Sequence, residues 1–127
     1  MVSIPSSKKG EPPYKSRGEV YVTIYQQSSE NSDGTIYVTT GYNYKNDSIV
    51  KIKIDNNKEY DFNVLEADTA FSDDENTDKR LILEMKKGNN MKVVGYSTRG
   101  TKTTDIYSLA GFSAAYSHMT TLCKVKK

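Results

Sequence analysis

A β-hairpin that runs straight into an amphipathic helix constrains this chain more than any other stretch. Two β-prone runs, Met91 to Thr98 and Thr101 to Leu109, flank an Arg99-Gly100 pair. Gly100 can take the left-handed conformation that closes a short loop with a bulge, so the pair reads as a hairpin turn. Ser108 is placed to cap the helix that follows. In that helix Phe112, Ala115, Met119 and Leu122 recur at helical spacing. An amphipathic helix must bury its apolar face, and a sheet is the only partner this sequence offers.

The rest of the chain supplies that sheet. Val20, Val22 and Ile24 alternate with Tyr21, Thr23 and Tyr25, the period of a half-buried strand. Ser32-Asp33-Gly34 turns the chain, and Ile36 and Val38 repeat the alternation between Thr35 and Thr40. Asn46-Asp47 is a second turn. Val50, Ile52 and Ile54 then alternate with Lys51 and Lys53, as in an antiparallel strand with one wet face. Asp55-Asn56-Asn57-Lys58 fits a tight hairpin with Asn at positive φ, and Tyr60, Phe62 and Val64 continue one face of the returning strand. Leu65 to Asp78 reads as an acidic loop. The helix after it carries an apolar stripe of Leu81, Ile82 and Met85, with Lys86 and Lys87 matching the helix dipole and Gly88 placed as a terminator.

Six alternating strands and two helices in 127 residues predict one mainly β domain. The expected fold is an antiparallel β-sandwich or flattened barrel, its ends closed by helices over about 77–87 and 109–122. Residues 19–124 form that domain. Residues 1–18 hold all three Pro together with Lys8, Lys9, Lys15 and Arg17, and read as a flexible basic N-terminal arm.

The C-terminal third also carries a resemblance. Gly95-Tyr96-Ser97-Thr98-Arg99-Gly100-Thr101, then Thr103 to Leu109, then Gly111-Phe112-Ser113-Ala114-Ala115-Tyr116 resemble the signature of the invasion-associated locus B family. Gly41-Tyr42-x-Tyr44-Lys45 is similar to the Gly-Tyr segment that follows the family's second strand. The similarity covers about Gly18 to Lys124. It implies a β-sandwich, a secreted or periplasmic bacterial protein tied to host-cell invasion and virulence, and no enzymatic activity or cofactor. It also implies a signal peptide and an N-terminal strand ahead of this sequence, with a Cys on that strand. Cys123, the single Cys here, would then be half of a disulfide whose partner lies outside this chain. Without its first strand, a sheet edge would invite dimerisation or capture of the basic arm.

Composition narrows the partners. The net charge of +2 is spread over interspersed acids and bases, which gives no electrostatic case for nucleic acid. No run reaches transmembrane length. One His excludes a multi-His metal centre, and His118 falls off the apolar stripe of its helix. Asp73, Glu75 and Asp78 offer oxygen ligands but lack the spacing of a Ca²⁺ loop, so no metal site is expected. No nucleophile or phosphate-loop motif occurs, so no catalytic residue is assigned.

Two regions remain as candidate ligand or partner sites. Arg99 and Thr101 at the hairpin tip, with Asp105 on the strand that follows, could bind a carboxylate, phosphate or sugar, or could simply build the turn and pair with or cap neighbouring elements. Tyr21, Tyr25 and Tyr37 share the strand face opposite the valines. That face is an exposed aromatic strip if no helix covers it and a second core layer if one does. The expected function is that of a non-enzymatic exported protein acting by surface contact, on a host cell or within the bacterial envelope. A small-ligand domain for a sugar, peptide or anion is the alternative, and a hydrolase built from Ser, Asp and Tyr residues a more distant one. A pocket with convergent polar groups would favour the second reading, and a carboxylate with a raised pKa inside a cleft the third.

Overall fold

The structure, a computed structural model, describes residues 2–3, 5, 7–11, 18–25, 34–72, 74–98 and 100–125. The alternating runs build two antiparallel sheets. The first is ordered β1 (Val2–Ser3), β3 (Tyr21–Tyr25), β4 (Thr35–Thr39), β8 (Thr69–Phe71) and β7 (Val64–Glu66). The second is ordered β2 (Ser7–Glu11), β10 (Lys102–Ser108), β9 (Asn90–Tyr96), β5 (Val50–Ile54) and β6 (Glu59–Phe62). The two sheets share no strand, so the molecule is a sandwich and not a closed barrel.

The core lies where the sheets face. Val22, Ile24, Ile36 and Val38 come from the first, and Val50, Ile52, Phe62 and Val93 from the second. Ile52 and Val93 stand opposite each other in register, and both are fully buried. Each such aliphatic side chain contributes about 1.5–3 kcal/mol by leaving water.

Two segments differ from the sequence reading. Val2–Ser3 and Ser7–Glu11, expected within the basic arm, are edge strands on β3 and β10 respectively. Their pairing is a matter of backbone groups, because the ladder needs only N–H and C=O and is indifferent to a polar sequence such as Ser7-Lys8-Lys9-Gly10-Glu11. The acidic loop expected from Leu65 onward begins instead with β7 and β8. Their connection turns at Ala67, whose φ of 53° is unusual for a non-glycine residue.

Both helices lie at one end of the sandwich, not at opposite ends. The hairpin register dictates this. Asn90, three residues beyond the last residue of α1 (Glu75–Lys87), pairs with Ser108, four residues before α2 (Phe112–Val125). Helix α1 is capped by the Asp74 carboxylate, which accepts the Asn76 N–H at 2.9 Å, and its Leu81, Ile82 and Met85 are buried as the stripe predicts. Gly88 ends it as the sequence predicts, in an extended conformation. A side chain there would collide with Ile54, since a Cβ would stand 2.3 Å from its Cγ2. Helix α2 starts three residues later than expected, after a turn in which Ser108 accepts the Ala110 N–H. Its buried face is Phe112 and Tyr116 with Met119 partly buried, whereas Ala115 is exposed. The two helices meet where Lys86 Nζ lies 4.3 Å from the Tyr116 ring centroid.

Candidate functional site

The opposite end of the sandwich is built by loops. Residues 40–49, between β4 and β5, cross from one sheet to the other and are fastened to both. Tyr44 N–H donates to Ala67 C=O in the first sheet's β7–β8 turn (3.1 Å). Lys45 N–H donates to Tyr96 C=O (2.9 Å) and Asn43 C=O accepts Thr98 N–H (3.0 Å), both in the second sheet's hairpin. The crossing starts at Gly41, with φ 78°. A Cβ there would lie 2.5 Å from Gly18 O, so this position requires glycine for both conformation and space.

The two tyrosines of Gly41-Tyr42-x-Tyr44 then anchor the crossing. Tyr42 reaches over Gly95 and shares a 2.6 Å hydrogen bond with Thr103 Oγ1. Tyr44 packs edge-on against it (5.6 Å, 75°) and donates its hydroxyl to Val38 C=O at 3.1 Å. Burial pushes the Tyr44 phenol well above the usual range, opposed by a hydrogen bond with Thr40.

These loops enclose an open pocket of about 490 Å³. Asn43, Asn46 and Asn63 line it together with Asp47, Ser48 and Thr98, and Tyr44, Leu65 and Ala67 are its less polar residues. Two lining residues, Asp47 (φ 62°) and Ala67 (φ 53°), are non-glycine residues in the left-handed region, a conformation that concentrates at ligand sites. Sequence reading took Asn46-Asp47 as a turn only. The lining residues span positions 43 to 98, and no spacing pattern joins them before the sandwich is closed.

The expected site residues are not in one place. Gly100 has positive φ (81°), and its N–H donates to Ser97 C=O at 2.9 Å, so the hairpin turn is the one the sequence predicts. Arg99 lies outside the described residues. Thr101 is buried and closes the hairpin, with its N–H on Ser97 Oγ and its C=O accepting the Ser97 N–H. Asp105 is not on the tip. It lies midway along β10, in register with Val93 and Lys8, and is fully buried on the core face between Thr103 and Tyr107.

Tyr21, Tyr25 and Tyr37 do share the outer face of the first sheet, where Tyr37 pairs with Thr23 and Tyr25 with Thr35. Phe71 extends the face, its ring 5.7 Å from Tyr37. Tyr25 is 52% exposed, Tyr21, Tyr37 and Phe71 are half-buried, and the buried apolar residues of both helices belong to the inner core cluster.

One buried acid and one half-buried acid belong to the helical end. Asp78, 3% exposed on α1, accepts the Ile36 N–H of β4, while its Oδ1 has no hydrogen-bond partner among the described residues. Burial raises its pKa to about 7, the Ile36 bond opposes the rise, and the Asp74 charge adds to it. This carboxyl sits in a helix–sheet contact and does not line the pocket. Tyr60 donates to Glu84, and burial together with that bond raises the phenol to about 12. His118 is exposed, and the Cys123 side chain is not among those described. Among the described residues, no group of three His, Cys, Asp or Glu side chains could hold a metal ion, and no helix is long and apolar enough to cross a membrane.

Comparison with known proteins agrees with the signature read from Gly95 to Tyr116. No curated protein and no solved structure matches the chain. One family model does, from residue 10 to residue 120, and so takes in the Gly41–Tyr44 crossing, the hairpin and most of α2. By that match the chain belongs to the Invasion associated locus B (IalB) protein family.

Proposed function

We propose that this protein is a non-enzymatic, exported bacterial protein that acts by surface contact, in host-cell invasion or in maintaining the envelope. Family membership supports the setting. The observation that carries the contact reading is the outer face of the first sheet. Its tyrosines are interleaved with Thr23, Thr35 and Thr69, so it presents rings and hydroxyls without a row of charges. Rings of this kind supply large contact area at low entropic cost, and their hydroxyls keep the free surface wet. The partner would be a component of the host-cell surface or of the bacterial envelope. Residues 19–124 act as one domain in this reading.

An exported protein meets an oxidising compartment, and there Cys123 would pair with a Cys upstream of this sequence. A bridge between the ends of the domain closes a loop of roughly a hundred residues, worth roughly 4–5 kcal/mol on the chain-entropy model. Expressed in a bacterium with its native upstream segment, the protein should appear in the periplasm or medium with no thiol titratable under denaturing conditions. Retention in the cytoplasm would contradict export, and a free thiol on the exported chain would contradict the bridge alone. For the contact face, Tyr25→Ser combined with Tyr37→Ser should abolish binding to host cells or to isolated envelopes while the domain stays folded, its melting temperature lowered only by the lost Tyr37–Phe71 ring contact. Full binding by a folded double variant would move the contact elsewhere.

A further inference from the structure

The loop-end pocket has a chemistry of its own, independent of the tyrosine face. Its amides each present one acceptor and two donor hydrogens. Asn43, Asn46 and Asn63 therefore suit a ligand whose groups both donate and accept, which is what hydroxyls do. Among the described lining residues the single charge is Asp47, an acceptor from hydroxyls that disfavours anions. One carboxylate without a second acid beside it is a poor cation site. The Tyr44 ring and Leu65 give an apolar patch, while the Tyr44 hydroxyl is turned inward to Val38 C=O. An object with hydroxyls around its rim and a C–H face is a sugar ring.

The pocket is also preformed. Its walls come from both sheets, and the backbone bonds from Tyr44, Lys45 and Thr98 fix their spacing before a ligand arrives. A fixed wall removes the ordering cost that weak polar ligands cannot offset. At about 490 Å³ it falls within the range of small-molecule sites, about 300–1,000 Å³.

We infer that the loop end of the sandwich binds a neutral sugar, with Asn43, Asn46 and Asn63 reading its hydroxyls and Asp47 selecting against anionic ligands. The sugar could belong to a host glycan or to a bacterial polysaccharide, and the chemistry is the same for both.

The test is a titration of the isotope-labelled full chain, followed through the side-chain amide signals of the three asparagines. Lactose stands for galactose-ended host glycans and the β-linked N-acetylglucosamine disaccharide for bacterial wall sugars. N-acetylneuraminic acid and inorganic phosphate are the anionic arms. A neutral sugar should shift all three pairs of amide signals with a Kd on the order of 1 mM, and the sugar that binds more tightly identifies the source. Asn63→Ala and Asn46→Ala, both at exposed positions, should each weaken binding about tenfold with an unchanged melting temperature. Asp47→Asn should narrow the gap between neutral and anionic sugars. The inference is overturned if neither neutral sugar moves these signals at about 100 times that concentration. It is equally overturned if phosphate or N-acetylneuraminic acid binds better, or if the folded alanine variants bind as the parent does.

Discussion

The two ends of the sandwich are closed by different means. At the helical end, side chains do the work: Leu81, Ile82, Met85, Phe112 and Tyr116 fill the gap between sheets. At the loop end, backbone hydrogen bonds and fitted glycines work beside the Tyr42 and Tyr44 rings: Gly18 to Gly41, Tyr44 to Ala67, Lys45 to Tyr96 and Thr98 to Asn43. A helix cap is a sealed lid, since its backbone is satisfied internally and its apolar face is consumed by the core. A loop closure leaves polar side chains pointing outward around a fixed frame. That difference fits a pocket at the loop end, while the helical end holds a buried carboxyl, Asp78, that does not line it.

The contrast can be broken from either side. The largest effect is expected at the loop end, from Gly41→Val. A β-branched residue there meets positive φ and the Gly18 carbonyl together, and should cost more than about 4 kcal/mol in chemical denaturation. A loss under about 1 kcal/mol would mean the crossing is not held as described.

At the helical end the effect depends on pH. The Asp78 carboxyl keeps its proton to about pH 7 when folded, against an ordinary value of 3.8. Below about pH 4 it is protonated in folded and unfolded chains alike. As pH rises from 4 to 7 the unfolded chain releases a proton that the folded chain still holds, so stability falls, and above 7 the loss is complete. Asp78→Asn removes this dependence and keeps an acceptor for Ile36 N–H. Its advantage over the parent should grow between pH 4 and pH 8 by about 2–4 kcal/mol in urea titrations. Parallel stability curves for variant and parent would show that Asp78 is solvated.

Gly100→Val tests the hairpin that forms one wall of the loop end. Among the described residues beyond its chain neighbours, no atom lies within 4 Å of its Cβ position, so the expected cost is conformational, about 1–2 kcal/mol. The smallest effect belongs to the contact between helices. Lys86→Ala loses the cation over the Tyr116 ring and should lower stability by about 0.5–1 kcal/mol. A drop in the melting temperature larger than that of Gly100→Val would reverse the order argued here.

What the sequence reveals follows the same division. Core strands announce themselves, because Val22, Ile24, Val50, Ile52 and Ile54 alternate with polar neighbours. Leu81, Ile82 and Met85 mark α1 just as clearly. β1, β7 and β8 are hidden because they are short, and β2 because it carries no apolar side chain, so its pairing rests on the backbone ladder. The same blindness hides the pocket. Asn46-Asp47 reads locally as a turn, Asn63 reads as part of a strand and Thr98 as the end of one, and only the bonds between distant loops bring these residues together with Asn43. Asp105, read as a ligand or turn residue, is placed on the core face by the strand period.

Native-state hydrogen exchange tests the central claim most directly, that the loop end is a fixed frame held by backbone bonds. The amides of Tyr44, Lys45 and Thr98 lie outside the two main sheets' strands but donate across them. If the frame is fixed, these amides should be protected by about a thousandfold or more, close to Val93 in the centre of β9. Exchange of all three within the mixing time, with Val93 still protected, would contradict it and leave the helical end as the only closed end of the molecule.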